Sequence, residues 1–444
     1  MANQRLQSDV VVVGAGPAGI AAACMAAEHG RKVAVVDNSP WLGGQIWRGA
    51  HSERGPARRW IGWLQKSGVG VFSSSTAFAA PAPHVLLAET PDDVLELSWN
   101  KLVLATGARE RFLPFPGWTL PGVVGPGGLY AMVKSGWPIA DKRVVVAGSG
   151  PLLLAAADGL QQAGARVSLV AEQADWGQVV RFGKGLWRYP SKLLQGVGVK
   201  ARLLGVPYRC GCWPVKAEGA TRVERVTLTN GSNSWSEDCH YLACGFHLVP
   251  NVELPSLLGC AMANGFVRVD ELQLTSVPDV FCAGEPTGIG GADCALVEGQ
   301  VAGLAAAGAK DHARTLFSQR ADWHRFRTSL NRAFALRPEL RHLATLDTFV
   351  CRCEDVRLAE LQACESLRAA RLHTRCGMGS CQGRTCGATV QFLFGWESDS
   401  VRPPLFPVRL ASLAGEPSRM DNELTETNKD TDCTNLHQLD SKDS

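Results

Sequence analysis

Asp9-Val-Val-Val-Val-Gly14-Ala-Gly16-Pro17-Ala18-Gly19 is the stretch that decides the fold. Its short valine run is a buried-strand signal. The Ala-rich segment from Pro17 to His29 suits a helix. Between them Gly14 permits a tight turn, Gly16 lets the backbone approach a pyrophosphate, and Gly19 lets the helix pack on the strand. Phosphates then sit on the helix N-terminus, where free N–H groups and the dipole favour anions. Lys32–Val36 reads as a second strand, and Asp37 ends it. An acid at that distance from the glycines is placed to accept from a ribose hydroxyl. Strand, helix and acid in one unit make a dinucleotide site, where a lone glycine fingerprint would be weak.

Three later segments follow in the order seen in flavin disulfide-reductase-like proteins, and they point to FAD. Trp41-Leu-Gly43-Gly44-Gln45 resembles the loop that passes the isoalloxazine. Ala105-Thr106-Gly107 resembles the return crossing. Val280-Phe-Cys-Ala-Gly284-Glu285 resembles the late segment, where an acid faces the ribityl chain and pyrophosphate. That acid is usually Asp; this chain has the longer Glu285. A helix is expected to start at Gly288-Ile-Gly-Gly-Ala-Asp293, near the flavin.

The strand–helix–strand pattern returns at Arg143–Ala147, Pro151–Gln162 and Arg166–Val170. Gly148-Ser-Gly150-Pro-Leu-Leu153 repeats the fingerprint, with Gly148 in the place of Gly14. Leu153 replaces the third glycine. Glu172 ends the following strand and would take a ribose, disfavouring a 2′-phosphate, so NAD(H) is expected over NADP(H). The alternative is a fold kept with an empty site or with another adenine nucleotide, since fold does not imply function. One nucleotide domain with another inserted into it is the expected architecture.

The 444 residues are 45% hydrophobic and 20% charged, which suits two or three globular domains. A net charge of +3 is too small to argue for nucleic acid or a membrane surface. Asp9 and the fingerprint glycines interrupt the first apolar run, so no secretory signal is visible. No apolar stretch approaches the length of a membrane span. A cytoplasmic, reducing setting is expected, where the fifteen cysteines read as ligands or small core residues rather than disulfides.

Two cysteine groups stand out. Cys351-Arg-Cys353 and Cys376-Gly-Met-Gly-Ser-Cys381-Gln-Gly-Arg-Thr-Cys386 lie in a glycine-rich setting. Iron–sulfur clusters need four ligands, most often thiolates, on a backbone that curls around the sulfurs. Cys351, Cys353, Cys381 and Cys386 are the expected ligands, with Cys376 as a fifth candidate. Zinc on four cysteines is the competing assignment; the nucleotide folds upstream favour a redox cluster. Cys210-Gly-Cys212 with Cys239 and Cys244 has nearly the same spacing. Cys239 to Cys244 runs into an apolar strand, which separates those Cα atoms by roughly 17 Å, so these are expected to be structural thiols. No Cys-x-x-Cys lies in either nucleotide domain, which argues against a dithiol relay.

From Asp9 to about Gly395 the chain resembles the FAD- and cluster-containing alpha subunit of the opine oxidase, hydroxyproline dehydrogenase and hydrogen cyanide synthase group. This is a pyridine nucleotide-disulfide oxidoreductase-like flavoprotein. Gly43-Gly-Gln-Ile-Trp47-Arg48, Ala105-Thr-Gly-Ala-Arg109-Glu110, Gly284-Glu-Pro-Thr-Gly-Ile-Gly-Gly-Ala-Asp293 and Cys351-Arg-Cys-Glu-Asp355 carry the resemblance, with Thr374–Arg384. The cysteine segment is similar to the bacterioferritin-associated-ferredoxin type of [2Fe-2S] domain. The group's second fingerprint is often degenerate, in keeping with Leu153.

The resemblance implies an α/β fold of two Rossmann-like three-layer domains and a small, mainly helical [2Fe-2S] domain. Expected boundaries are 1–118 with 243–345 for FAD, 119–242 for the insert, 346–400 for the cluster, and 401–444 for a polar, disordered tail. It further implies a heteromer. An oxidase-like flavoprotein beta subunit oxidises a C–N bond of an amino acid, imino acid or opine, and a small ferredoxin-like subunit is a further candidate partner. The present chain passes the electrons on. Two other functions fit the residues: a self-sufficient NADH-dependent reductase feeding a ferredoxin-like acceptor, and a non-catalytic cluster-binding regulator.

Overall fold

The structure is a computed structural model that describes residues 4–48, 55–397 and 401–414. Its first sheet orders the strands Gly70–Phe72, Val33–Val36, Gln4–Val13, Val94–Leu104, Val85–Glu89 and Thr76–Ala82. Val280–Cys282 adds in parallel to the end of Val94–Leu104. The parallel centre is buried on both faces, hence the unbroken valine runs: Val10 pairs with Val33 and Val13 with Val36. Thr76–Ala82 and Val85–Glu89 form the antiparallel edge, and Gly70–Phe72 adds in parallel at the other.

Two helices meet behind the fingerprint strand, Pro17–Glu28 and Ala292–Ala306. Their contact is backbone to backbone. A Cβ at Gly299 would lie 2.1 Å from the Ala18 carbonyl oxygen, and one at Gly303 would lie 2.3 Å from that of Ala22. Alanines on one helix and glycines on the other permit this spacing. It brings the N-termini of both helices to one end of the sheet.

The second sheet is wholly parallel, in the order Tyr208–Cys210, Arg166–Glu172, Arg143–Ser149, Tyr241–Phe246 and Val123–Val124. A three-stranded antiparallel sheet, Trp213–Glu218, Arg225–Thr229 and Ser234–Asp238, covers one face. Tyr241–Phe246 belongs to the inserted sheet, so the expected boundary at 242 cuts a strand in two; the insert runs through Phe246. Cys212, Cys239 and Cys244 are buried in its core as small apolar residues.

Residues 349–394 build a separate small core from a hairpin, Phe349–Cys351 with Val356–Arg357, and three helices, Leu358–Gln362, Leu367–Thr374 and Gly387–Phe394. Residues 401–414 were expected to start the tail and instead pack on the first sheet. Leu405 is buried and donates its N–H to the Phe78 carbonyl, and the Arg409 guanidinium binds Glu89, Thr90 and Pro91. The rest of the expected tail, 415–444, lies outside the described residues. No described helix is long and apolar enough to cross a membrane.

Candidate functional site

The first fingerprint has the geometry its glycines require. Gly14 has φ +107°, and a Cβ there would sit 2.2 Å from the Ala105 carbonyl oxygen. A Cβ at Gly19 would sit 1.7 Å from the carbonyl oxygen of Gly14. Both glycines are demanded by the protein itself. Gly16 differs: nothing lies within 4 Å of its Cβ position. It caps the helix Pro17–Glu28 with no side-chain cap, so the first N–H groups face open space. Such a cradle fits a diphosphate. The Gly43–Gly44 loop crosses above it, with the Gly44 Cβ position 3.0 Å from the Gly16 Cα. Gln45, from the same loop, is exposed.

Asp37 Oδ2 accepts from Ala15 N (2.5 Å) and Oδ1 from Ser39 N (2.7 Å). Burial pushes its pKa up, against those two N–H groups and the nearby Arg48. Each carboxylate oxygen keeps a lone pair for a ribose hydroxyl. The buried Nε of Arg48 has no partner among the described residues. Its charge acts on Asp37.

Glu285 sits at the start of the helix Ala292–Ala306. Its carboxylate accepts from Gly291 N (2.9 Å) and Gly290 N (3.2 Å), and burial raises its pKa to about 7. Its role here is to hold the glycine turn; direct contact with a ribityl chain, as expected, would have to use what those bonds leave free. Sequence reasoning missed the acid behind it. Glu298 lies fully buried on the same helix and accepts from Gly284 N, Thr287 Oγ1 and His324 Nε2 (2.9, 2.9 and 2.8 Å) and from Arg327 Nη1 at 3.2 Å. Burial alone would push it up, but His324 and Arg327 outweigh it and hold the carboxyl below its usual range. A lone Glu in the apolar run Ala292–Ala307 was the available signal.

Thr106, Asn251, Arg109 and Arg384 form a second network. Asn251 Nδ2 donates to Thr106 O (2.9 Å), and Thr106 Oγ1 donates to Asn251 O (2.6 Å). Arg109 Nη1 binds Asn251 Oδ1 (2.7 Å) and Glu253 Oε1 (2.9 Å), while Arg109 Nε donates to Arg384 O (3.0 Å). Arg384 lies between Cys381 and Cys386. The Ala105-Thr106-Gly107 crossing is thus joined to the cysteine loop by one chain of hydrogen bonds.

All five candidate cysteines converge on that loop. The sulfurs of Cys351, Cys376 and Cys386 lie within 4.8 Å of one another. Cys353 and Cys381 pair beside them, and a Cβ at Gly379 would lie 2.5 Å from the Cys353 Cβ. The neighbouring thiols of Cys376 and Cys386, with N–H groups of Gly377 and Glu354, hold Cys351 far below the usual thiol range. Burial raises Cys381, but N–H groups of Thr385 and Gly383 and the Cys353 thiol bring it below its ordinary value. Thiols that receive backbone N–H groups suit a cluster. Cys376, expected as an alternative, sits in the close group with Cys351 and Cys386, which Cys353 and Cys381 do not join.

The second fingerprint is closed. Gly148 has φ +133°, and a Cβ there would lie 1.8 Å from Gly245 O. Gly150 is open on its Cβ side, but its N–H donates to Glu172 Oε2 (2.7 Å), and Glu172 Oε1 accepts from Ala174 N (2.9 Å). Glu172 is 0% exposed, and burial raises its pKa to about 7. The chain leaving the helix Phe317–Ala333 binds the neighbours of Gly150 and Glu172: Ser149 Oγ donates to Phe334 O, and Gln173 bonds Ala335 O and Arg337 N. Glu172 was expected to take a ribose or to stand at an empty site; here its two oxygens hold Gly150 N and Ala174 N and its side chain is shut from solvent. Leu153, in place of the third glycine, is simply core.

A family profile described as pyridine nucleotide-disulphide oxidoreductase matches residues 8–299. The chain belongs to that family. Like its other members it is an FAD-dependent oxidoreductase. Hydrogen cyanide synthase subunit HcnB of Pseudomonas protegens is 32% identical over 85% of this chain and 89% of its own length. An opine oxidase subunit of Rhizobium meliloti is 32% identical over 91% of this chain and 98% of its own. Among solved structures, L-proline dehydrogenase from P. horikoshii superposes with a TM-score of 0.66 at 20% identity, covering 92% of this chain and 80% of that one. That likeness concerns the pyridine nucleotide-disulphide oxidoreductase fold alone.

Proposed function

We propose that this chain is the electron-transfer alpha subunit of a heteromeric dehydrogenase acting on the C–N bond of an amino acid, imino acid or opine. The partner is an oxidase-like flavoprotein subunit that meets the substrate. The observation that carries this is the Thr106–Asn251–Arg109–Arg384 chain of hydrogen bonds, which ties the flavin-type crossing to the cysteine loop. The subunit names of the two relatives support a hetero-oligomer.

FAD fits the first cradle. The N–H groups opening the helix Pro17–Glu28, around Gly16 and Ala18, would hold its diphosphate, and Asp37 its ribose. Gly44, Gln45, Ala105, Thr106, Gly107 and Gly284 would border its far half. A [2Fe-2S] cluster would take four of the five thiols. When bound, the flavin takes electrons in pairs and the cluster passes them singly. The chain's own residues hold the two sites in register. Arg109 is planar and offers several donors, so it serves Asn251, Glu253 and Arg384 at once. Glu298 stays ionised against His324 and Arg327 and pins Gly284.

The full burial of Glu172, with both oxygens taken by Gly150 N and Ala174 N, disfavours the NADH-dependent reductase. An anaerobic titration of the purified chain tests the choice. The expected result is that NADH leaves the flavin oxidised while dithionite bleaches it. Rapid bleaching by one equivalent of NADH would refute the relay function and restore the nicotinamide site.

A further inference from the structure

Between strands Arg166–Glu172 and Tyr208–Cys210 the chain makes an excursion of two helices, Trp176–Gly185 and Pro190–Arg202, joined by the short turn Leu186–Arg188. From Trp176 to Gly205 it carries six basic residues and no acidic one: Arg181, Lys184, Arg188, Lys192, Lys200 and Arg202. The net charge of the whole chain, +3, hides this block.

The apolar residues are turned the wrong way for a core. In the second helix Val199 and Leu203 face inward and are buried. Leu193, Leu194 and Val197, with Leu204 just beyond, share the opposite side at helical spacing. Leu194 is 72% exposed and Leu204 86%. In the first helix Phe182 is the buried anchor and Trp176 is 64% exposed, while Trp187, in the turn Leu186–Arg188, is 68% exposed. Arg202 pairs with Asp158 and Lys192 with Asp293. Arg181, Lys184, Arg188 and Lys200 have no ion pair among the described residues.

We propose that this helical pair is a peripheral docking surface for an anionic lipid bilayer. Outward Trp and Leu on a helix whose polar flanks are Lys and Arg are the pattern of an interfacial helix. Cations without nearby acids complement anionic headgroups. The helical pair is joined to the flavin-side helix Ala292–Ala306 through Lys192 and Asp293, and its outward face points away from that contact.

The test is co-sedimentation of the full chain with mixed vesicles of phosphatidylcholine and phosphatidylglycerol, and with vesicles of pure phosphatidylcholine. Binding to the anionic vesicles, absent on the neutral ones and weakened by high salt, is expected. Arg181→Glu with Lys184→Glu and Arg188→Glu should weaken it by on the order of a hundredfold. Leu194→Glu should abolish insertion with an unchanged melting temperature, since the Leu194 side chain already stands in solvent. Equal sedimentation with both vesicle types, or with neither, overturns the proposal. So does a stable dimer, or a stoichiometric complex with the partner subunit, that covers Trp187 and does not sediment with lipid.

Discussion

Gly16→Ala separates the demands of the fold from those of the cofactor. The three fingerprint glycines look alike in sequence, yet only two are required by the polypeptide. At Gly19 a methyl would lie 1.7 Å from the Gly14 carbonyl oxygen, where real contacts do not come below about 3 Å. Gly19→Ala should cost about 3 kcal/mol or more, a fall of roughly 6 °C or more in the melting temperature of the apoprotein. At Gly16 the backbone has φ −78° and ψ −176°, which alanine adopts freely, and the methyl meets nothing within 4 Å. Gly16→Ala should therefore leave the apoprotein unharmed or stabilise it by about 0.4–1 kcal/mol. The same methyl would occupy the diphosphate cradle and push phosphate oxygens off the N–H groups. Losing about 1–3 kcal/mol of hydrogen bonding weakens FAD by roughly tenfold to a hundredfold. The assay pairs thermal melts of both apoproteins with a fluorescence titration of FAD. Wild-type FAD affinity in Gly16→Ala would refute the cradle. A melting temperature as low as that of Gly19→Ala would refute the claim of open space.

Cys353→Ser and Cys381→Ser should each remove iron and leave flavin content unchanged; normal iron in both would end the cluster assignment. Cys376→Ser should also lower the iron content, since its sulfur lies within 4.8 Å of those of Cys351 and Cys386; full iron would leave Cys351, Cys353, Cys381 and Cys386 as the ligands. Arg109→Ala should slow electron passage between flavin and cluster by roughly tenfold or more, by loosening their spacing. Arg109→Lys should not restore it, since one ammonium cannot serve Asn251, Glu253 and Arg384 together; stopped-flow traces with wild-type rates would sink the bridge. Glu172, raised by burial to about 7, gives a pH dependence of known sign. Its folded pKa lies above the unfolded value, so its contribution is complete below pH about 4.5 and is lost as pH rises through about 7. Melting curves of the apoprotein should show this loss, and Glu172→Gln should reduce it without removing it, because Glu285 is raised to about 7 as well.

Much of this protein is written locally. The valine runs, the glycine spacing and Asp37 specify a strand–turn–helix–strand unit within about 30 residues, and the structure has it. The cysteine pairs announce a thiol site for the same reason: their spacing and their glycines are near neighbours in sequence. The second fingerprint was equally legible as a fold. It was not legible as a site, because the segment bound to Ser149 and Gln173 beside it, Phe334–Arg337, comes from a distant part of the chain. The outward helices of Trp176–Arg202 escaped notice because their apolar period matches that of a buried helix, and periodicity does not say which side faces the core.

The sequence by itself therefore determined the two Rossmann-like units, the acid and glycines of the first, and the set of five thiols. Tertiary structure alone decided that Arg109 reaches Arg384, that His324 and Arg327 keep Glu298 charged, and that residues 401–414 join the first sheet rather than a tail. Turn and helix preferences act over a few residues, and the chain states them directly. Contacts such as Arg109 with Arg384, or Arg409 with Glu89, join opposite ends of the chain and depend on how whole layers pack. No single stretch of sequence carries that information.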